Sequence, residues 1–213
     1  MERESYEGNE WNDFHDDKRN RNMTLEWPDE YVIRFAKRWQ KAKDIKKVLD
    51  MQCGAGRHTA YLAELGFNVT GCDISDQALK AAKKLLDKRG YQAKLCCEDS
   101  LSLSFEDNCF DALVAWRSLH VFSMDNMPRA VMEMNRVVRP NGQILFSTRS
   151  DRNLLTAAAI EQEFQMPIYL TKEELTEIIK EYIEVEQIEL NEFTSDNMQI
   201  RNSYWIVLGT PRK

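Results

Sequence analysis

The chain has 213 residues, 43% of them hydrophobic and 30% charged, with 8 glycines and 5 prolines. That composition excludes a disordered, collagenous or disulfide-scaffolded chain, and a chain of this length buries about 70% of its unfolded surface without staples or metal. A net charge of −6 and a pI of about 5.3 exclude the basic footprint of a nucleic-acid binder.

Charges of both signs balance through residue 149, so the acidic excess sits in residues 150–213 and reads as a solvated face. The start, Met1-Glu2-Arg3-Glu4-Ser5, lacks the apolar centre of a signal peptide. No run approaches the ~18 apolar residues of a membrane span. Cys53, Cys72, Cys96, Cys97 and Cys109 are odd in number and lack zinc-ligand pairing, which points to reduced thiols in the cytoplasm and no metal.

Residues 1–27 are polar but hold Trp11, Phe14 and Trp27, a composition that suits either a flap over a ligand or a tail. Residues 28–213 read as one domain. Pro28 stands at the start of a helix over Asp29–Lys43, with Val32, Phe35, Ala36 and Trp39 at helical spacing. A strand over Lys47–Met51 breaks into Gly54-Ala55-Gly56, and the helix that follows stops at Gly66. Phe67–Cys72 is a second strand ending on Asp73; Ser75 caps a helix over Gln77–Arg89, and Gly90 stops it. Ala93–Cys97 and the doubly buried run Phe110–Trp116 are strands three and four. A helix from about Asn126 ends at Arg139-Pro140-Asn141-Gly142, and Gln143–Thr148 is strand five. Thr171 and Glu174 form a capping box for a helix to about Tyr182, and strands Val185–Phe193 and Ser203–Gly209 follow across the turn Ser195-Asp196-Asn197. The fold expected is α/β: a doubly wound, Rossmann-like, seven-stranded sheet, mostly parallel, closed by a C-terminal antiparallel hairpin.

The crossing at Asp50–His58 carries the chemistry. A glycine turn entering a helix lets a ligand approach the backbone and offers unpaired N–H donors. Asp50 ends the first strand and Asp73 the second, where a carboxylate can accept both hydroxyls of a ribose; the rival role of Asp73 is an ordinary cap. Asp50 separates two ligand classes by charge. It repels the pyrophosphate of a dinucleotide and attracts a sulfonium, a difference of several kcal/mol gross at about 4 Å and an effective dielectric of about 20. The dinucleotide fingerprint also wants glycine where this chain has Thr59.

Val48-Leu49-Asp50-Met51-Gln52-Cys53-Gly54-Ala55-Gly56 resembles motif I of the class I S-adenosylmethionine-dependent methyltransferases, and the resemblance extends over about residues 28–209. It is similar to the small-molecule group that includes quinone and tellurite-resistance methyltransferases. The resemblance implies S-adenosylmethionine as cofactor, S-adenosylhomocysteine as product and a small-molecule acceptor. It places Asp50 and the backbone of Gln52, Cys53, Gly54, Ala55 and Gly56 against the methionine part. Asp73 then holds the ribose, Ile74 lies on the adenine, and Asp99 with Ser100 accepts from the adenine amine. Ala115, Trp116 and Arg117 line the methyl side. Gln52 departs from the family's glycine, so a Gln52→Gly change is expected to restore close approach at a small cost in backbone order.

His120, four residues beyond Trp116, is a candidate general base or a satisfied loop histidine. Arg57 and His58 stand where the cofactor carboxylate is expected, or form a solvated first turn. Trp27, Tyr31 and Arg34 belong to a lid or to the core, Trp116 to the site or to packing, and Cys53 is an activated thiolate or a small loop residue. The end of strand four lacks the acid of a metal-dependent catechol-type site and the Asn/Asp-Pro-Pro-aromatic run of nucleic-acid amino-methyltransferases. A non-catalytic S-adenosylmethionine-binding protein, an aminopropyl transferase and a nicotinamide oxidoreductase are the alternatives. Oligomeric state has no signal in the sequence, and no membrane partner is expected.

Overall fold

The computed structural model describes residues 26–153, 168–195 and 200–213, so Trp11, Phe14, most of the expected flap and residues 196–197 of the expected turn lie outside the described residues. Along the chain run α1 (Glu30–Ala42), β1 (Lys47–Met51), α2 (Arg57–Glu64), β2 (Asn68–Asp73), α3 (Asp76–Arg89), β3 (Lys94–Cys97) and β4 (Phe110–Ala115). After a 3₁₀ turn at Leu119–Val121 come α4 (Met127–Val137), β5 (Val138–Arg149), α5 (Lys172–Ile179), β6 (Ile183–Ser195) and β7 (Ile200–Pro211).

The seven strands form one sheet in the order β3-β2-β1-β4-β5-β7-β6. The first five are mutually parallel, and β7 enters antiparallel to both β5 and β6. Strand order reverses beside β1, between β2 and β4, and in open α/β sheets ligands bind outside the carboxyl ends of the strands at such a switch point.

Helix boundaries follow local chemistry. Asp29, in extended conformation, accepts the Tyr31 N–H and starts α1 one residue after Pro28, and the left-handed Lys43 ends it. Ser75 accepts the Ala78 N–H at the head of α3, and left-handed Gly90 closes its tail. The capping box at Thr171 and Glu174 forms as expected. The hairpin strands run two or three residues longer than expected and α5 ends at Ile179; the larger difference is that β5 begins at Val138 rather than Gln143, because Val138 pairs with Phe110 before the register shifts and Arg139–Gly142 leave the ladder.

Alternation along the strands sorts the core into two faces. Leu49, Met51, Leu113, Ala115, Ile144, Phe146 and Val207 pack with α4 and α5. Val48, Ala112, Val114, Trp116, Leu145, Ile206 and Leu208 pack with Val32, Phe35 and Trp39 of α1 and with Leu62 of α2. Arg136 of α4 fixes the loop before β4: its guanidinium donates to the carbonyls of Leu103 and Phe105, and Glu133 pairs with it while accepting the Leu103 N–H. Among the described residues no helix is long and apolar enough to cross a membrane.

Helix α2 sits unusually close to α3. A Cβ on Gly56 would lie 2.6 Å from the Cβ of Ala82, and Gly56 has φ +81°. Gly56→Ala adds a left-handed alanine (about 1–2 kcal/mol) to an overpacked contact (about 1–3 kcal/mol). Urea denaturation should therefore show a loss of about 2–5 kcal/mol in unfolding free energy.

Candidate functional site

Between β1 and α2 the backbone turns through left-handed conformations at Gln52 (φ +56°), Gly54 (φ +54°) and Gly56 (φ +81°). The loop is tied down by Cys53 N–H to the Cys72 carbonyl (2.9 Å), Gly56 N–H to the Cys53 carbonyl (3.0 Å) and Gly54 N–H to Asp73 Oδ2 (2.9 Å). A Cβ on Gly54 would meet nothing within 4 Å, so this loop presents bare backbone to open space. The first N–H groups of α2 add donors there, since Gly56 supplies no side-chain cap.

Asp50 points to the α2 side of the sheet and is 1% exposed. Thr59 Oγ1 donates to its Oδ2 at 2.5 Å. Room for that contact comes from the neighbouring strand: Gly71 is the register partner of Asp50, and a Cβ there would stand 2.9 Å from Thr59 Oγ1. Burial raises the Asp50 carboxyl to about 7, with the Thr59 bonds and the Arg57 charge opposing it in part. A carboxyl in that state gains most from a cation placed beside it.

Asp73 closes β2 and holds the N–H groups of Gly54 and Ser75, the latter at 3.0 Å on Oδ1. It therefore shapes the loop as well as offering lone pairs. The Asp73 carbonyl accepts the Glu98 N–H, which sets the end of β3 beside it. Asp99 is exposed and uses Oδ1 on the Leu101 N–H (2.9 Å); Ser100 is buried, and Ile74 is half-buried.

Ala115 and Trp116 are buried at the end of β4, and Tyr31 stacks on Trp116 with ring centroids 6.0 Å apart. His58 meets the same indole edge-on and accepts the Asp29 N–H on Nε2 (3.3 Å); it is buried rather than solvated. Burial and the charges of Arg57 and Arg117 hold His58 neutral. Arg57 is half-buried and donates to the Trp27 carbonyl at 3.3 Å. Glu26 meets Lys88 at 2.8 Å and Arg89 stacks on Trp27, so residues 26–27 cross from α3 to the head of α2. Trp27 itself is exposed, while Arg34 lies over the Tyr31 ring and pairs with Glu189 of β6.

Arg117 has φ +56°, and its N–H donates to Ser147 Oγ at 2.8 Å. His120 lies 6.5 Å from the Tyr204 ring, with Nδ1 buried and without a hydrogen-bond partner among the described residues. Burial, with Arg149 and Arg117 adding to it, lowers its pKa to about 3. Cys53 is no activated thiolate: burial and then the charges of Asp50 and Asp73 push its thiol well up.

The carboxyl ends of β3, β2, β1 and β4 thus lie side by side, with the sequence-predicted residues on or just beyond them. Missed from the sequence are Ser147, Asn191, Phe193 and Tyr204, which reach the site from β5 and the terminal hairpin. Alternation shows those strands but not which end of them meets the site.

Residues 48–142 match the family described as "Methyltransferase domain". The chain is 34% identical over 122 residues to the malonyl-[acyl-carrier protein] O-methyltransferase of Erwinia billingiae, covering 57% of this chain and 46% of that protein. It is 40% identical over 114 residues to the 2-methyl-6-phytyl-1,4-hydroquinone methyltransferase of Synechocystis sp., covering 50% of this chain and 34% of that one. The chain thus spans less than half the length of either curated relative. A solved structure titled "Conversion of a Disulfide Bond into a Thioacetal Group during Echinomycin Biosynthesis" superposes with a TM-score of 0.73 at 24% identity, covering 89% of this chain and 84% of that one, which is a likeness of fold.

The left-handed φ at Gln52 reverses the expected stability effect of Gln52→Gly. Relief of about 1–2 kcal/mol of backbone strain exceeds the about 0.5–1 kcal/mol that glycine adds to unfolded-chain entropy. Gln52→Gly should therefore gain about 0.5–1 kcal/mol in chemical denaturation, and a loss would show that the Gln52 side chain holds the loop.

Proposed function

We propose, on the premise that this chain belongs through residues 48–142 to the class I S-adenosylmethionine-dependent methyltransferases, that it methylates a small-molecule acceptor. The observation that carries the reading is the buried Asp50 carboxyl at the switch point, beside a glycine turn that is open to close approach at Gly54. A sulfonium donor carries an activated methyl and its own good leaving group. The protein's task is then alignment and exclusion of water rather than strong acid–base work.

The residues present fit that cofactor. Asp50 meets the cationic methionine end, and the backbone of Gln52–Gly56 lies along it without side-chain obstruction at Gly54. Arg57 faces the carboxylate from the head of α2. Asp73, at the end of β2, meets the ribose hydroxyls, Ile74 offers an apolar edge to the adenine, and Asp99 with Ser100 lies at its amine. Ala115 and Trp116 wall the methyl side. His120, neutral and with Nδ1 lacking a hydrogen-bond partner among the described residues, orients the acceptor's N–H or O–H and takes its proton as the bond forms. Tyr31, Arg34 and the strap at Glu26–Trp27 act as the rim of a lid. All five cysteines are free, which supports a reducing, cytoplasmic setting. Support for a small acceptor comes from the two relatives named for acyl-carrier and quinol methylation.

Asp50 makes the reading testable by pH. Its folded pKa of about 7 means that binding a cation below pH 7 must release a proton from Asp50. Calorimetric titration with S-adenosylmethionine should show Kd tightening by up to about tenfold per unit between pH 5 and 7 and levelling above about 8. Asp50→Asn should flatten that dependence and weaken binding at pH 8. Titration with nicotinamide dinucleotides should give no comparable binding. Incubation of acceptor pools with methyl-labelled donor, read by mass, should show label in a small molecule together with S-adenosylhomocysteine; absence of turnover with every pool would leave a binding protein.

A further inference from the structure

Arg117 is built as a ligand anchor. Its backbone is held left-handed by the Ser147 hydroxyl, which turns the side chain toward the terminal hairpin. The guanidinium lies 4.7 Å over the Tyr204 ring and 5.9 Å from the Phe193 ring, and those two rings are stacked 15° from parallel. Stacking of this kind occupies the face of a guanidinium and leaves its five N–H donors in the open plane. Among the described residues none of those donors has an acceptor. Arg34, Arg136 and Arg139 each meet a carboxylate instead.

Arg117 opens on a cavity of about 300 Å³ lined also by Asp29, Glu30, Tyr31, Asn191 and Phe193. That volume holds a single-ring molecule. Of the two carboxylates there, Asp29 is engaged as the cap of α1 and lies beside Arg57, while Glu30 is exposed. Arg57 and Arg117 bring like charge to the same place, and neither has a carboxylate within ion-pair distance among the described residues.

We infer that Arg117 sets acceptor specificity: it grips a carboxylate on a planar aromatic acceptor by paired in-plane N–H···O bonds, with the aromatic wall of Phe193 and Tyr31 around the ring. The inference rests on the methyltransferase reading above and gives its acceptor a chemical class. Paired bonds of this geometry distinguish a planar carboxylate from a neutral isostere, and a guanidinium from an ammonium.

The test uses the full chain saturated with S-adenosylhomocysteine and three calorimetric probes: 4-hydroxybenzoate, 4-hydroxybenzyl alcohol and phenyl phosphate. The wild type should bind the benzoate at least about tenfold tighter than the alcohol and tighter than the phosphate. Arg117→Asn, which tolerates the left-handed backbone, and Arg117→Lys, which keeps the charge, should each reduce that preference to less than about threefold. Both variants should keep the wild-type melting temperature within a few degrees and the S-adenosylhomocysteine affinity within about twofold. Absence of benzoate preference in the wild type, its survival in both variants, or stronger binding of the phosphate would overturn the carboxylate assignment. Collapse of S-adenosylhomocysteine affinity in Arg117→Asn would move Arg117 to the donor's own carboxylate and overturn it too. Failure of the wild type to bind S-adenosylhomocysteine at all would instead strike the methyltransferase reading.

Discussion

The contact on which this site depends is the hydroxyl of Thr59 on the buried carboxyl of Asp50. A carboxyl removed from water in the sheet interior must be hydrogen-bonded or neutral, and here it is hydrogen-bonded by Thr59 and poised to lose or keep its proton near neutrality. The hydroxyl contact requires α2 to descend close to β1, and a side chain at position 71 of the adjacent strand would crowd it. The same descent brings α2 against α3 at Gly56 and Ala82. Charge, helix placement and the two tight glycines are therefore parts of one packing solution.

Backbone strain is concentrated where ligands are expected. Among the described residues five non-glycine positions have positive φ; Asn108 and Asn141 are of a type that tolerates it, and Lys43 ends a helix. The remaining two, Gln52 and Arg117, stand just beyond the carboxyl ends of the adjacent strands β1 and β4. Each is held by a bond from the surrounding sheet: the Cys53 N–H to Cys72 fixes the first, and the Ser147 hydroxyl fixes the second. Strained residues that persist because neighbouring structure over-determines them are a recurring property of binding sites.

The two halves of the site differ in chemistry. Toward β2 and β3 the groups are acidic and aimed by short backbone bonds, as at Asp73 and Asp99. Toward β5 and β7 they are Arg117, the Tyr204 and Phe193 rings, and His120, kept neutral by burial and by Arg149 and Arg117. One side is the place proposed above for the sulfonium donor and the other that for the carboxylate-bearing acceptor. The boundary runs along Trp116, which Tyr31 covers from α1.

The order of strands and helices, the glycine turn after β1, and the acids ending β1, β2 and β3 were all legible in the sequence. Each is a local property: hydrophobic period, cap chemistry, or a residue's position at a strand end. The resemblance of Val48–Gly56 to a known motif named the cofactor class because that motif is contiguous. What only the tertiary structure decided is everything that depends on register between distant segments. Whether Gln52 was strained, whether Cys53 was buried, and how Asp50 titrates all follow from how closely α2 meets β2. The partnership of Arg117 with Tyr204 and Phe193 joins β4 to a hairpin some 80 residues later in the chain. No periodicity fixes that register, because it is set by the pairing of β7 between β5 and β6.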